Sequence, residues 1–213
     1  MRKTKFENGE YYHIYNRCID KNILARDRAD IKRFFQSLNE FNVKRPIGSL
    51  YEKFYYQDKF GNQVSKKDKL VEFICYCVNP NHYHFLLKQN TEGGISRFMH
   101  KAVLGYTKYY NQRYGRSGAL FQSPFKAINV NSNEYLLHLS VYINLNYRVH
   151  KIDKTRAFSS WNQYANQKII GNIKCKKDIV LKQFRNDVEY REFAENSLEA
   201  IWDKKDMAKI LLE

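Results

Sequence analysis

This sequence has few cysteines and lacks long apolar runs. Cysteine occurs four times in 213 residues, which is too few to cross-link a chain of this length, so we expect a reduced protein. A membrane span needs about 18 consecutive uncharged, apolar residues, and no stretch of this sequence comes near that length. The basic residues at the start are followed by no apolar segment, which argues against a secretory signal. Together these absences predict a cytoplasmic protein with no membrane partner.

Acidic residues are also few in comparison with basic ones. The chain has 37 Lys and Arg against 22 Asp and Glu, a net charge of +15, and residues 1–150 carry +12 of this charge. Aromatic residues make up 15% of the sequence, with 17 tyrosines and 14 phenylalanines. Because cations contact phosphates and aromatic rings stack on unpaired bases, this composition predicts single-stranded nucleic acid as the partner.

The order of the predicted elements indicates an α+β fold. Segments rich in β-formers predict strands, and apolar residues at helical spacing predict helices. The strands are expected at residues 11–17, 70–78, 82–88 and within 119–130, and the helices at residues 30–41, 95–114 and 134–147. A small antiparallel sheet with helices on one face, the ferredoxin-like sandwich, accounts for this order.

The chain divides into two parts in this interpretation. Residues 1–150 form the α+β domain, with a peripheral insert at about residues 42–69 that contains Pro46, Gly48 and Gly61. Residues 151–213 form a polar, helical C-terminal extension for which the sequence predicts no role.

His82 and His84 are one residue apart on a predicted strand. Side chains alternate along a strand, so both imidazoles point to the same face and form half of a metal site. A three-residue hairpin turn before His82 would pair Cys77 with Tyr83, which puts Cys75 and Cys77 on the opposite face. We therefore expect the cysteines not to complete a zinc site with the histidines.

Tyr142 and Asn146 are four residues apart on the predicted helix at 134–147, so they lie one turn apart on one face. A buried asparagine can give its carbonyl oxygen to a metal, and a tyrosine beside it can attack a phosphate that the metal holds. Free tyrosine has a pKa near 10, so only a small fraction is phenolate at neutral pH. A metal would have to offset the developing negative charge.

Several blocks of the sequence carry a family resemblance. They are VNPNHYHFLLK from residue 78, GGISRFMHKAVLGYTKYYNQRYGRSGALFQSPFKA from residue 93 and NEYLLHLSVYINLNYR from residue 133, and YYHIYNRCIDKNILARD from residue 11 fits with them. In these blocks the chain resembles the REP-associated tyrosine transposases, which belong with the single-tyrosine HUH transposases of insertion sequences. The resemblance covers about residues 11–151.

The resemblance implies a reaction and a set of site residues. His82 and His84 match the pair that binds a divalent metal, Mg²⁺ or Mn²⁺; Asn146 matches the third ligand, and Tyr142 matches the catalytic tyrosine. The implied enzyme cuts and rejoins single-stranded DNA, beside a hairpin, through a 5′-phosphotyrosine intermediate. The implied fold is the same ferredoxin-like palm. Relatives act as monomers or as homodimers, so either state is expected here.

Basic and aromatic residues between the two motifs are candidate DNA contacts. Cations there would contact phosphates, and tyrosines would stack on bases. The candidates are Arg97, Lys101, Lys108, Arg113, Arg116 and Lys126, together with Tyr106, Tyr109 and Tyr110.

Three other functions fit parts of the same pattern. The chain could be a domesticated relative that grips a DNA or RNA hairpin without cutting it. It could be a metal-dependent phosphodiesterase that uses water in place of tyrosine, which would form no covalent intermediate. It could also be a structural zinc protein, which metal analysis would reveal.

Overall fold

A five-stranded antiparallel sheet lies at the centre of the fold. The structure is a computed structural model that describes residues 4–19, 22–45, 47–50, 52, 69–165 and 173–210. The strands are β1 (Tyr11–Arg17), β2 (Val71–Val78), β3 (His82–Gln89), β4 (Lys126–Asn129) and β5 (Phe158–Ser159). Their order across the sheet is β4-β1-β3-β2-β5. The first four strands have the ferredoxin-like arrangement, and β5 extends it at one edge.

The helices alternate with these strands as the sequence predicts. They are α1 (Arg28–Glu40), α2 (Gly94–Arg113), α3 (Asn133–Asn144), α4 (Asn146–Val149), α5 (Trp161–Tyr164), α6 (Asp178–Leu181) and α7 (Asp187–Ile210), with a short 3₁₀ turn at Lys154–Arg156. The predicted α+β class with a ferredoxin-like core is therefore confirmed. Most of the predicted insert at residues 42–69 lies outside the described residues.

Helices α1 and α2 cover one face of the sheet with a core rich in aromatic residues. Tyr83 and Phe85 alternate with the histidines along β3 and point toward these helices, as the sequence predicts. Phe34 of α1 and Tyr106 of α2 pack together at a ring-centroid distance of 4.9 Å. This aromatic layer supports β3 from behind and fixes the strand that carries both histidines.

The opposite face of the sheet is also covered by helices, which the prediction of helices on one face does not include. Cys77 and Leu86 of the sheet form one buried cluster with Ile143 of α3 and with Leu198 of α7. The sheet is apolar on both faces, so each face needs a helical layer to exclude water. Helix α3, which carries Tyr142, is held on the sheet by this second core.

The predicted register of the β2–β3 hairpin is wrong by one residue. Cys77 pairs with His84 and Val78 pairs with Tyr83, because the connection spans residues 79–82 and is closed by the Asn79 N–H, which donates to the His82 carbonyl over 2.8 Å. A one-residue change in register moves side chains to the other face. Cys77 therefore lies on the same face as the histidines, contrary to the prediction.

The region beyond residue 150 takes part in the second core through a buried polar network. The Tyr190 hydroxyl lies 3.1 Å from the Ser140 hydroxyl and accepts from the Asn144 amide over 3.3 Å. The Ser160 hydroxyl donates to the side-chain oxygen Oδ1 of Asn144 over 2.6 Å. It also accepts from the Tyr76 backbone N–H of β2. This network ties α3 to α7 and to the sheet. The division into residues 1–150 and 151–213 stays a prediction.

We expect the substitution Tyr190→Phe to lower the free energy of unfolding by about 1–3 kcal/mol, because it removes the partner of the buried Asn144 Nδ2 and one of the two hydrogen-bond contacts of the Ser140 hydroxyl. Denaturant unfolding monitored by circular dichroism measures the loss. Tyr147→Phe is the control, since Tyr147 belongs to the same cluster but takes no part in this network. Equal stability of the Tyr190→Phe variant and the wild type would contradict the structural role of the network.

Candidate active site

Four predicted site residues meet on the second face of the sheet, where β3 begins. Nε2 of His82 lies 3.2 Å from Oδ1 of Asn146. The ring centroids of His82 and His84 are 5.3 Å apart, and those of His84 and Tyr142 are 5.6 Å apart. Two imidazoles, a carboxamide and a phenol, distant in the sequence, thus come together within one chain. Their roles in catalysis and metal binding stay predictions.

A break between α3 and α4 positions Asn146. Helix α3 begins at a Ser132 cap, whose side chain accepts from the Tyr135 N–H, and it ends before Leu145, which has φ −105° and ψ 15°. The prediction of one continuous helix to Tyr147 is therefore wrong at this residue. Asn146 starts the next short helix and is completely buried, so its side chain faces the histidines rather than solvent.

Each imidazole of the pair has a hydrogen-bond partner on its second nitrogen. Nδ1 of His82 lies 2.7 Å from Oδ1 of Asn81. Since an amide oxygen only accepts, His82 carries its hydrogen on Nδ1 and keeps the lone pair on Nε2. Nδ1 of His84 lies 2.8 Å from Nε2 of His13. Such contacts on the far nitrogen orient imidazoles that bind metals.

His13 is a site residue that the sequence analysis missed. It lies on β1 and pairs across the sheet with Leu86, so its side chain shares the face of His84. Alternation along β1 puts the side chains of His13 and Tyr15 on one face, which was a usable sequence signal. Only the β1–β3 pairing shows that the imidazoles of His13 and His84 meet.

Burial keeps the histidines neutral. It lowers the pKa of His82, lowers that of His13 to about 4, and lowers that of His84 to about 2, where charges on neighbouring histidines add to the effect. A neutral imidazole is the form that binds a metal ion. Burial also raises the pKa of the Tyr142 phenol, although the Asn146 amide beside it acts in the opposite direction, so this phenol is protonated at neutral pH.

A second asparagine, Asn79, lies inside the site. Its Nδ2 donates to Oδ1 of Asn146 over 2.7 Å and lies 2.8 Å from Nε2 of His82. Its Oδ1 lies 3.5 Å from the Cys77 sulfur. Asn79 belongs to the predicted three-residue hairpin turn before His82, and nothing in the spacing of the motif distinguishes it from an ordinary turn residue.

Aromatic and basic side chains border the site on the β1 side. The Tyr15 ring stacks on His84 at a centroid distance of 5.6 Å. Nζ of Lys126, an exposed residue among the predicted DNA contacts, lies 5.9 Å from the centre of the Tyr15 ring. Arg17, exposed at the end of β1, pairs across the sheet with His82. These side chains place positive charge and an aromatic ring beside the histidines.

Two of the three tyrosines predicted to stack on bases cannot do so. Tyr106 and Tyr110 are completely buried between α2 and α1, because they lie on the core stripe of α2, so that prediction is wrong for both. Tyr109 is half-buried and donates to Asp30 over 3.2 Å. Arg113 is ion-paired with the buried Asp30 at 2.7 Å, so its guanidinium holds α1 to α2.

The remaining predicted DNA contacts lie away from the histidines. Arg97, Lys101 and Lys108 are exposed on α2, which packs on the face of the sheet opposite the site. Arg116 donates to the Asn111 side chain over 2.9 Å. The structure therefore brings Lys126 close to the site and leaves these four residues at a distance, and a DNA contact for each stays a prediction.

The donor set suits a divalent cation that accepts nitrogen and oxygen ligands. It offers neutral imidazole nitrogens and an amide oxygen, and Nδ2 of Asn146 is buried without a hydrogen-bond partner, a cost that the hydrogen bonds of the fold leave unexplained. Within the described residues, no group of three or more His, Cys, Asp or Glu side chains could hold a metal.

Comparisons with known proteins find a matching family model and a similar fold. Residues 56–146 match the family model of IS200-like transposases, and this range contains His82, His84, Tyr142 and Asn146. A solved structure of a REP-associated tyrosine transposase bound to a REP hairpin is similar with a TM-score of 0.52 and 11% identity, over 82% of this chain and 93% of that one. At this identity the similarity shows the shared fold alone. No curated protein sequence matches the chain.

A helix crosses a lipid bilayer only if it is both long and apolar. Among the described residues, no helix is both long enough and apolar enough to cross a membrane.

We expect His82 to carry its hydrogen on Nδ1 at neutral pH in the metal-free protein, because Asn81 accepts from that atom. Two-dimensional ¹⁵N–¹H NMR of the imidazole nitrogens distinguishes the two tautomers. The substitution Asn81→Leu removes the acceptor and should increase the population with the hydrogen on Nε2. The resonances of the exposed His100 serve as an internal reference. A wild-type His82 with its hydrogen on Nε2 would contradict this assignment.

Proposed function

We propose that this chain, which matches the family model of IS200-like transposases over residues 56–146, cuts single-stranded DNA and rejoins it through a covalent bond to Tyr142. The observation that carries the proposal is the meeting of Tyr142 with His82, His84 and Asn146 in one chain. The family match supports it, since it spans all four residues. A tyrosine, two neutral imidazoles and an amide have no evident structural reason to share one buried site.

In the proposed reaction, the Tyr142 oxygen attacks the scissile phosphorus. A phosphorus–oxygen bond forms to the phenol, the bond to the 3′ oxygen breaks, and the phenol gives up its proton as the 3′ oxygen becomes a hydroxyl. The products are a 5′-phosphotyrosine and a free 3′ end. Because the covalent link conserves the phosphodiester energy, a second 3′-hydroxyl can reverse the step and join the strands.

The surrounding residues prepare the site for this attack. Burial keeps the Tyr142 phenol protonated at neutral pH. The negative charge that develops as the phenol loses its proton and attacks must therefore be offset. Mg²⁺ or Mn²⁺ held by His82, His84 and Asn146 would supply positive charge at the phosphate. Asn81 and His13 hold the two imidazoles in fixed orientations, which lowers the cost of assembling the site.

The proposed substrate is DNA that contains a hairpin. The similar structure is a transposase bound to a REP hairpin, and the charge of +12 on residues 1–150 suits a polyanion. Lys126 and Arg17 border the site and are the cations best placed to contact phosphates next to the cut. Tyr15, stacked on His84, offers a ring for an unpaired base.

All four proposed catalytic groups belong to one chain and lie in contact, which supports cleavage in cis. A monomer would then carry the complete site, and a homodimer would carry two independent ones. The buried network through Tyr190 and Asn144 holds α3 on its own sheet and so favours this arrangement.

We expect Tyr142→Phe to abolish the covalent DNA adduct and to reduce strand cleavage by at least about 10³-fold, as the loss of a nucleophile does in other enzymes. The assay incubates the full chain with a nicked or phosphorothiolate-modified hairpin oligonucleotide and Mn²⁺, and the adduct is seen as a shifted band in a denaturing gel. The hairpin should still bind, because the variant loses only one hydroxyl.

The matched control is Tyr135→Phe, two helical turns before Tyr142 on the same face of α3 and half-buried near the site, which should still form the adduct. An adduct in Tyr142→Phe would refute the nucleophile. Cleavage without any adduct would favour hydrolysis by water. Tight hairpin binding with neither adduct nor cleavage in the wild type would favour the non-cleaving binder.

A further inference from the structure

Asn79 lies where a ligand of the proposed metal would lie. Its side chain is 1% exposed, and one end of its amide is 2.8 Å from Nε2 of His82 and 2.7 Å from Oδ1 of Asn146. Nε2 of His82 and Oδ1 of Asn146 lie 3.2 Å from each other, so the three atoms form a triangle. Three polar atoms, two from the β2–β3 hairpin and one from α4, therefore stand almost equally far apart.

This spacing is that of one face of an octahedral coordination shell. Small divalent ions bind their ligands in octahedral geometry at about 2.0–2.1 Å, so neighbouring ligand atoms are about 2.8–3.0 Å apart. The observed distances of 2.7, 2.8 and 3.2 Å bracket this value. A cation at the common apex would contact Asn79 as closely as it contacts the other two residues.

The metal-free orientation of the Asn79 amide is consistent with this role. Without a cation, Nε2 of His82 and Oδ1 of Asn146 are two acceptors that need a donor, and Nδ2 of Asn79 supplies it. Rotation of the amide by about 180° exchanges its nitrogen and oxygen. The oxygen would then face the cation, and the nitrogen would face the Cys77 sulfur, which now lies 3.5 Å from the oxygen.

The turn itself does not account for the Asn79 side chain. The backbone N–H of Asn79 closes the turn by donating to the His82 carbonyl, and this bond is available to any residue except proline. A buried amide is costly unless it is fully paired. Its polar atoms are directed to the two proposed ligands and to one thiol, so the requirement for an amide at residue 79 comes from the site.

We propose that Asn79 is a fourth protein ligand of the divalent cation, through its side-chain oxygen, beside His82, His84 and Asn146. This inference rests on the proposed function, which supplies the metal. A fourth protein ligand takes the place of one water on the cation. Fewer bound waters then compete with the scissile phosphate for the remaining coordination positions.

The test measures Mn²⁺ binding to the full chain without DNA, by calorimetry, and counts bound waters from the broadening of the Mn²⁺ EPR signal in ¹⁷O-enriched water. Asn79→Leu keeps the size of the side chain but has no ligand oxygen. We expect it to bind Mn²⁺ at least about tenfold more weakly and with one more bound water. Asn79→Asp keeps an oxygen ligand and adds charge, so it should bind more tightly than the wild type with an unchanged number of waters.

Several outcomes overturn the assignment. If Asn79→Leu binds Mn²⁺ as well as the wild type, or more tightly, the amide is a bystander or an obstacle. If Asn79→Asp holds one water fewer than the wild type, the native amide is not a ligand. Thermal unfolding in EDTA checks that the variants fold, and should Asn79→Leu fail this check, the affinity and water count of Asn79→Asp decide alone.

His82→Ala separates this inference from the proposed function. Loss of Mn²⁺ binding in His82→Ala, with wild-type binding in Asn79→Leu, would remove Asn79 from the site and leave the metal-dependent nuclease intact. Binding that does not change in His82→Ala, or a wild type that binds no Mn²⁺, would overturn both proposals.

Discussion

The apolar contact between α3 and the second face of the sheet decides where the proposed catalytic groups lie. Ile143 belongs to the same buried apolar cluster as Cys77 and Leu86 of the sheet, and burial of this surface, together with the hydrogen bonds of Asn144, holds the helix in place. Tyr142, the preceding residue on the helix, is thereby carried to the edge of the core, beside His84. If α3 docked elsewhere, the motif residues would all remain, but the phenol would have no imidazole nearby.

The polar centre of the site depends on its apolar surroundings. Burial removes the positive charge from His13, His82 and His84 and keeps the hydrogen on Tyr142. Such a set has lone pairs to offer and no net charge of its own, so a cation can enter without repulsion. The same low exposure makes the amides of Asn79 and Asn146 costly wherever a polar atom is unpaired, as Nδ2 of Asn146 is.

Local patterns allowed much of the fold to be predicted. The alternation in β3 put Tyr83 and Phe85 on one face and the histidine pair on the other, and side-chain packing agrees. The register of the β2–β3 hairpin was not predictable, because the same sequence is compatible with a three-residue and a four-residue turn. The two turns shift every cross-strand pair by one residue. Tyr106 and Tyr110 show a similar limit, since a helical stripe of tyrosines indicates core and base-stacking equally.

The sequence by itself determined the α+β order of elements, the family resemblance, and the choice of His82, His84, Tyr142 and Asn146 as candidate site residues, since periodicity and motif are local properties of the chain. Tertiary structure alone decided that these groups meet within one chain and that His13 and Asn79 join them. It also turned one predicted helix into two at Leu145. The physical reason is that such contacts depend on strand pairing and on the docking of α3, which join residues far apart in sequence and leave no periodic trace.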